Sequence, residues 1–365
     1  MDKQTDNMDL LDLIVAPCFC VRDNRIIQYN QAASRLFLEE NAKLLPLLTT
    51  GAEEYRKFSG GSLYLTLNIS GQIMGAAVER RGGLDYFILE SEKESSELRA
   101  LALASRELRS PLSSVIITAE RICSAAVQED PGLQQQAAML NKSLHQLLRI
   151  VGNMSAAGAP PSRQETCEIS TVFQEIFEKA RTFLSETGIS LDYQGPDVKI
   201  YCLADTQELE RAVMNILSNC VKFSRKDGKI SACLTRQGKM LCLKIQDNGT
   251  GIPENIRGSI FRRYLRQPAI EDGRYGIGLG MVLIRSAAAN HGGTVLIDHP
   301  AQGGTRVTLT MAIRQDSATL CSPVMRIDYA GEKDHALIEL SDVLPASAFL
   351  KESSFTEPSA PHPIL

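Results

Sequence analysis

The sequence predicts an α+β multidomain protein with three units: a small α/β domain over residues 1–92, a two-helix hairpin over 93–155 and an α/β sandwich over 167–313. A length of 365 residues fits two or three compact domains. Strand-type and helix-type apolar patterns alternate in the first and third units. The middle unit instead repeats apolar residues at alternating spacings of three and four, which is typical of packed helices.

Composition narrows the possible functions. The hydrophobic fraction of 44% and the charged fraction of 22% are ordinary for globular proteins. A net charge of -4 gives no reason to expect a nucleic-acid surface. No apolar run approaches the roughly 18 residues needed to span a bilayer, and the acidic start MDKQTDNMDLLDL argues against a secretory signal. The nine cysteines include no C-x-x-C pair, so we expect reduced, mostly buried thiols, a cytoplasmic protein and no zinc site.

The first unit reads as strands around a short helix. IVAPCFCV and RIIQYN are strand-like and flank an RDN turn, QAASRLFLEE is a short helix, and SLYLTLNIS, IMGAAVER and DYFILE are later strands. Three late antiparallel strands predict a curved sheet with one face free to hold a ligand or partner. We expect Tyr29 and Phe37 in the core rather than at a cofactor.

The second unit carries one heptad seam on each helix. The first seam comprises Leu98, Leu101, Ser105, Leu108, Leu112, Val115, Ala119, Ile122 and Ala126. The second comprises Leu133, Ala137, Leu140, Leu144, Leu147, Val151 and Met154. Pro111 should kink the first helix. In the turn at 128–132, Asp130 can cap the second helix and Pro131 can take its first position.

One hairpin cannot bury both seams, so we expect two chains to form a four-helix bundle. The alternative is a hairpin that packs on its own domains. Residues 156–166 are small and proline-bearing, which predicts a linker.

The third unit predicts an α/β sandwich with helices on one face of a mixed sheet. ISTVFQEIFEKARTFLSETG should be a helix ending at Gly188, and ELERAVMNILSNCVKFS and GMVLIRSAAANHGG are further helices. The strands are ISLDYQG, VKIYCLAD, KISACLTR, MLCLKIQDNG, GTVLIDHP and TRVTLTMAI. Residues 314–365 form a tail, in which VMRIDYAGEKDHALIELSDVL could be a hairpin and the last fifteen residues look disordered.

Polar residues at helical spacing mark the first candidate site. Asn215 and Asn219 stand four apart, and Lys222 follows three later, so the three share a helix face. Two carboxamides and an amine suit a hydrated Mg²⁺ ion and phosphate oxygens. A solvated helix face is the alternative.

Two glycine motifs follow. In DNGTG, Asp247 ends a strand, where its carboxylate can accept from an exocyclic amine such as that of adenine; Gly249 and Gly251 let a planar ligand approach the backbone. GIGLG opens a helix, so its backbone N–H groups can face phosphates. That motif comprises Gly276, Gly278, Leu279 and Gly280 around Ile277. Turns use glycine too, so either motif alone is a weak signal.

Order and spacing make the set specific. In chain order, the asparagine pair, DNGTG, Phe261, GIGLG and GGT at 303–305 resemble the N, G1, F, G2 and terminal boxes of the histidine-kinase ATP-binding (GHKL, Bergerat-type) domain. That fold is shared with gyrase, the heat-shock chaperone and mismatch-repair ATPases. The resemblance implies ATP and Mg²⁺ as ligands, with Asn219 on Mg²⁺, Asp247 on adenine, the 276–280 glycines on the phosphates, and 262–275 as a mobile lid.

The upstream units resemble other parts of sensor kinases. CVRDNRIIQYNQAASRLF resembles a PAS sensor domain, and the helical pair resembles the dimerisation and phosphoacceptor domain. SRELRSPL, residues 105–112, resembles the acceptor box, but Arg106 stands where the family has its histidine. A guanidinium stays protonated at pH 7 and offers no lone pair to a phosphoryl group.

No other histidine replaces the missing acceptor. The five are His145, His291, His299, His335 and His362, and none has the H-E or H-D pairing of the family. We expect His145 to be a surface or bundle residue. The other residues of the acceptor box match the residue types that the family has there. In bifunctional sensor kinases an acidic residue and a Thr or Asn at the spacing of Glu107 and Ser110 support dephosphorylation of a response regulator, by orienting a water.

The expected protein is a cytoplasmic, dimeric histidine kinase homologue of a two-component system that binds Mg-ATP but lacks the usual acceptor. It would act by docking or phosphatase activity on the receiver domain of a response regulator, or in a heterodimer with another kinase. The alternatives are a nucleotide-binding regulatory module without phosphoryl transfer, and a kinase that uses Ser105 or Ser110 as acceptor.

Overall fold

The protein is a mixed α/β structure, as the sequence predicted, and most of its strands form one large sheet. The computed structural model describes residues 11, 14–161, 163–225, 227–257, 260–261, 278–314 and 334–350. For 126–129, 131 and 255–256 it describes the backbone alone. Among the helices of these segments, none is both long and apolar enough to cross a membrane.

The N-terminal unit is five strands with short helices between them. The elements are β1 (Cys18–Arg22), β2 (Arg25–Tyr29), α1 (Gln31–Ser34), a 3₁₀ turn (Leu45–Leu47), α2 (Ala52–Lys57), β3 (Ser62–Ile69), β4 (Gln72–Arg81) and β5 (Leu84–Leu89). Helix α1 is shorter than predicted, because Phe37 adopts a left-handed conformation with φ of 56°. The prediction that Phe37 lies in the core is wrong, since it is 82% exposed. Tyr29 does pack against the core.

One face of this sheet is covered by packed side chains. Phe19 stacks on Phe87 with ring centroids 5.0 Å apart, and Tyr55 of α2 closes over Phe87. The Tyr55 hydroxyl donates to Asp85 Oδ2 at 2.6 Å. Helix α2 and the 3₁₀ turn bring Tyr55 and leucine side chains onto this face. On the other face, Ala77 and Ile88 line a cavity that Glu90 and Arg285 also border.

The middle unit is a pair of packed helices, α3 (Glu92–Glu129) and α4 (Gln134–Ala157), joined by a 3₁₀ turn (Pro131–Leu133). Pro111 lies inside α3. Asp130 Oδ1 accepts from Gly132 N at 2.8 Å, so it caps the turn. The two helices bury Ile116, Ala119, Leu144 and Leu148 between them. Other seam residues stay exposed: Leu108, Val115 and Ile122 on the first helix, and Leu133, Leu140 and Leu147 on the turn and second helix.

The third unit continues the chain after α4 and holds most of the apolar core. Its elements are β6 (Glu165–Glu168), α5 (Ile169–Leu184), a 3₁₀ turn (Ser185–Thr187), β7 (Ser190–Gln194), β8 (Tyr201–Ala204), α6 (Thr206–Lys222), β9 (Lys229–Gln237), β10 (Met240–Asp247), α7 (Glu254–Arg257), α8 (Gly280–Asn290), β11 (Val295–Asp298) and β12 (Arg306–Ala312). Helix α5 ends at Leu184, and the 3₁₀ turn continues to Gly188, the predicted end, which adopts the left-handed conformation with φ of 73°. Asp205 caps α6 by accepting from Gln207 N and Glu208 N. Helices α5, α6 and α8 bury their apolar sides against the sheet.

A single ten-stranded sheet joins the first and third units, in the order β2-β1-β5-β4-β3-β11-β12-β10-β9-β7. At the junction β3 runs antiparallel to β11, with Tyr64 opposite Val295. Arg285 of α8 lies beside this junction, almost fully buried. It pairs with Glu94 Oε1 at 2.6 Å and Glu90 Oε1 at 3.2 Å. The sequence analysis did not anticipate this shared sheet.

The tail is helical where it is described, with α9 (His335–Glu339) and a 3₁₀ turn (Ala346–Phe349). The predicted hairpin is therefore wrong over 334–344, while 324–333 and the last fifteen residues lie outside the described residues. Asp334 starts the helix by accepting from Ala336 N at 2.9 Å. The buried residues Leu337, Leu340 and Leu344 recur at helical spacing and join the core of the third unit.

We predict that Gly61→Ala weakens the junction between β3 and β11. Gly61 has φ of 91°, and a Cβ there would lie 2.3 Å from the carbonyl oxygen of Ile297. The expected loss in free energy of unfolding is about 1–3 kcal/mol, measured by urea denaturation. Gly60→Ala is the matched control, because its Cβ would meet nothing within 4 Å. Equal stability of the two variants would contradict this account of the junction.

Candidate functional site

The polar face of α6 is partly buried and already engaged. Asn215 is 3% exposed; its Nδ2 donates to Arg211 O at 2.9 Å, and its Oδ1 accepts from Arg149 Nη2 at 3.3 Å. A solvated helix face is thereby excluded for Asn215. Asn219 is half-buried, and no described residue hydrogen-bonds to its side chain.

Asp247 stands at the end of β10 and ties three segments together. Its Oδ1 accepts from Gly249 N at 2.7 Å and from Thr305 N at 3.1 Å. The Cys220 thiol of α6 lies close enough to lower the pKa of this carboxylate. Burial raises the pKa of Asp247, and the two backbone N–H groups oppose that rise. The carboxylate therefore marks the point where α6, β10 and the loop before β12 meet.

Close backbone approaches explain two of the glycines. A Cβ on Gly249 would lie 2.4 Å from Phe223 O, and one on Gly304 would lie 2.0 Å from Asp247 O. Gly304 also has φ of 81°. Side chains at either position would push apart the loops that follow α6 and β10 and the loop that precedes β12.

The second glycine motif is described only in part. Gly278 is exposed, Leu279 is buried, and Gly280 begins α8. A Cβ on Gly280 would lie 3.0 Å from Asn215 Oδ1, so the start of α8 packs directly on the polar face of α6. Gly276 and the lid predicted at 262–275 lie outside the described residues. Gly251 has φ of 73° and continues the loop after Asp247.

Phe261 is a core residue at the unit junction. It is 1% exposed, and its ring centroid lies 5.7 Å from that of Tyr64 on β3. Arg285 Nη1 donates to its carbonyl oxygen. The predicted F-box residue therefore contacts the N-terminal unit.

Comparison with known proteins agrees with this arrangement. Residues 204–315 match the family model described as histidine kinase-, DNA gyrase B- and HSP90-like ATPase. Residues 204–315 thus resemble a GHKL-type ATPase domain, and the chain is similar to two-component sensor histidine kinases. The matched region begins at β8 and includes α6, Asp247, α8 and β12.

Two curated relatives illustrate the relationship. The signal transduction histidine-protein kinase/phosphatase MprB of Mycolicibacterium smegmatis is 27% identical over 226 residues, which is 59% of this chain and 44% of that protein. The adaptive-response sensory kinase SasA of Crocosphaera subtropica is 27% identical over 238 residues, 60% of this chain and 62% of that protein. The chain thus spans about half the length of the curated relatives it matches.

A similar solved structure is full-length ShkA in complex with AMPPNP. It has 21% sequence identity and a TM-score of 0.47, and the match covers 60% of this chain and 46% of that one.

The acceptor-like box of this kinase homologue lies on an open surface of α3. Arg106, Glu107 and Ser110 are all exposed. Ser105 is fully buried, and its Oγ donates to Ala102 O at 2.8 Å. Its hydroxyl is therefore badly placed to receive a phosphoryl group. His145 is 2% exposed and packs against Phe349 with ring centroids 5.0 Å apart and planes tilted by 59°, so it is an interior residue of the helical pair and the tail.

The sequence analysis missed the ion-pair cluster that covers the α6 face. Asp342 Oδ2 lies 2.8 Å from Lys222 Nζ and also pairs with Arg149. Glu339 Oε1 lies 3.4 Å from Arg211 Nε. Burial lowers the pKa of Lys222, and Arg149 lowers it further, against the opposing effect of Asp342. The helical spacing of leucines in the tail was the signal that could have placed Glu339 on a helix and Asp342 directly after it.

Proposed function

We propose that this chain is a nucleotide-binding histidine kinase homologue that cannot phosphorylate itself at the usual position. It would bind Mg-ATP in the corner formed by α6, the end of β10 and the start of α8. One observation carries the proposal. An assembled ATPase-type corner stands in the same chain as an exposed acceptor box whose nucleophile is replaced by Arg106.

The nucleotide site follows from the chemistry of the corner. Asp247 would accept from the exocyclic amine of adenine, and the N–H groups around Gly278 and Gly280 would face the phosphates. Asn219 would bind Mg²⁺, because Mg²⁺ keeps several waters and needs few protein oxygens. The half-buried Asn219 fits that role, since no described side chain engages it. A bound Mg²⁺ ion would neutralise phosphate charge.

The exposed box supports a role toward a response regulator. Glu107 and Ser110 stand three apart on one exposed helix face, where a docked receiver domain could reach both. MprB is named a kinase/phosphatase, which favours testing regulator dephosphorylation here. Two other roles would use the same surface. One is docking to a regulator without dephosphorylation, and the other is a heterodimer in which the partner kinase supplies the histidine. Placement in the cytoplasm remains a prediction.

Dimerisation is the second part of the proposal. Leu108, Val115 and Ile122 are 46%, 53% and 61% exposed and recur every seven residues on α3. Leu133, Leu140 and Leu147 repeat the same spacing, at 38%, 43% and 46%. Two parallel apolar rows at heptad spacing fit a four-helix bundle with a second copy.

A nucleotide-binding regulatory module without phosphoryl transfer is the alternative function. The observation that favours it is the engagement of Lys222, a proposed phosphate contact, by Asp342 within the chain itself. The serine-acceptor alternative is weakened by the burial of Ser105, which leaves only the exposed Ser110.

We predict that Asp247→Asn weakens ATP binding by about 1.5–3 kcal/mol, or about 10- to 150-fold. The amide would present a donor where adenine presents one as well. Isothermal titration calorimetry with Mg-ATP measures the change. Asp192→Asn is the control, because Asp192 is exposed on β7 at the far edge of the sheet. Unchanged affinity in the Asp247 variant would remove this residue from the site.

We predict that the unmodified chain is a dimer and that Leu147→Asp makes it monomeric. Leu147 is 46% exposed in the single chain, so the added charge should oppose association without unfolding the subunit. Light scattering after size exclusion measures the mass. Gln135→Asp adds the same charge about 120° around α4 and should leave the dimer intact. A monomeric unmodified chain would defeat the bundle proposal.

We predict that labelled ATP leaves no acid-labile label on the unmodified chain and that Arg106→His acquires it. Phosphoryl transfer depends mainly on positioning and charge stabilisation, and only the nucleophile is missing from the box. Arg106→Ala should stay unlabelled, and combining Arg106→His with Asp247→Asn should remove the label. If Arg106→His stays unlabelled while binding ATP, the regulatory-module alternative is favoured. Label on a native histidine would refute the loss of acceptor.

A further inference from the structure

The tail segment 334–350 covers the same α6 face that the proposed nucleotide would use. Lys222 Nζ is held by Asp342 Oδ2 at 2.8 Å. Asn215 Nδ2 lies 3.5 Å from Glu339 Oε2. Two of the three polar residues on this face are therefore engaged by tail carboxylates.

The tail segment is buried inside the protein and does not lie on its surface. Glu339 is 1% exposed and Phe349 is fully buried. Leu337, Leu340 and Leu344 join the core formed by α5 and α6. Ile338 packs on the other side, among the residues buried between α3 and α4. The segment thus fills the space between the helical pair and the ATPase domain.

Polar contacts fasten the same segment to α4. Lys142 Nζ donates to Leu344 O at 2.7 Å, and Asn141 Nδ2 donates to Phe349 O at 3.3 Å. Arg149 pairs with Asp342 and lies 3.6 Å from Glu339 Oε2. Because Arg149 also reaches Asn215, one cluster links α4, the tail and α6.

The negative charges of Glu339 and Asp342 make the seated tail segment incompatible with a bound triphosphate. Phosphate oxygens at Lys222 would lie beside the carboxylates of Asp342 and Glu339, and like charges in a partly buried site repel strongly. A nucleotide would therefore have to displace the segment before its phosphates could reach α6.

We propose that residues 334–350 act as an internal competitor of the nucleotide, with Glu339 and Asp342 occupying the phosphate side of the site. The inference rests on the proposed nucleotide binding. The segment is also one of the contacts that fasten the ATPase domain to α4, so its displacement by ATP would loosen that attachment.

The first test compares ATP affinity by calorimetry in the full chain with that of Glu339→Gln/Asp342→Asn. Neutral side chains should hold the segment less tightly and tighten Mg-ATP binding by about tenfold, since apparent affinity scales with the fraction of open sites. Glu175→Gln/Asp197→Asn is the charge-matched control, because both residues are exposed on the ATPase domain. It should bind ATP like the unmodified chain.

The second test needs no variant of the tail. Backbone amides of Ile338 and Leu340 are hydrogen-bonded within α9, to Asp334 O and Ala336 O. Saturating Mg-ATP should speed their hydrogen exchange in the unmodified chain by at least about tenfold.

The outcomes separate the two proposals. Tighter binding in the tail variant together with faster exchange supports the competitor. ATP binding that is lost with Asp247→Asn, yet equal in the tail variant and accompanied by unchanged exchange, overturns the competitor and leaves the proposed function standing. Failure of every variant to bind ATP overturns the proposed function and the competitor with it.

Discussion

The arrangement of this molecule depends on the burial of one carboxylate, Glu339. A charged carboxylate is stable in a protein interior only when cations and donors surround it. Here Arg149 comes from the helical pair, and Arg211 and Asn215 come from the ATPase domain. The Glu339 carboxylate has all of its cations and donors only when the helical pair, the tail and the ATPase domain are in place together. Removing one partner from such a cluster leaves an uncompensated buried charge, which is why the cluster selects one packing of the tail.

The opposite side of the ATPase domain is held by a different kind of contact. There β11 extends the sheet of the N-terminal unit through backbone hydrogen bonds to β3. Arg285 of α8 fills the space beside this junction and is balanced by Glu90 and Glu94 from the start of the long helix α3. The start of α8 in turn touches Asn215. The candidate nucleotide corner therefore lies between two attachments, one through the sheet and one through the tail.

Sequence reasoning succeeded where local signals were strong. The apolar period of α5 and α6, the glycine near the end of α5 and the order of the motifs predicted the ATPase-type domain. The failures have physical reasons. An edge strand carries no sequence code for its neighbour, so the pairing of β3 with β11 could not be predicted. The tail was misread because its mixture of apolar and charged residues fits a short strand pair as well as one helical turn. Only the core contacts of Leu337 and Leu340 decide for the helix.

The missing acceptor and the two attachments are consistent with each other. A kinase that labels its own histidine must move its ATPase domain until the γ-phosphate reaches that side chain, which requires a domain able to leave its resting contacts. Under the proposed function Arg106 would remove the chemical need for that movement, and the sheet junction and the ion-pair cluster both oppose it. Fixed contacts of this kind suit a protein that acts by presenting a binding surface. The exposed Glu107 and Ser110 on α3 would then be presented or withheld according to whether the ATPase domain stays fastened to α4.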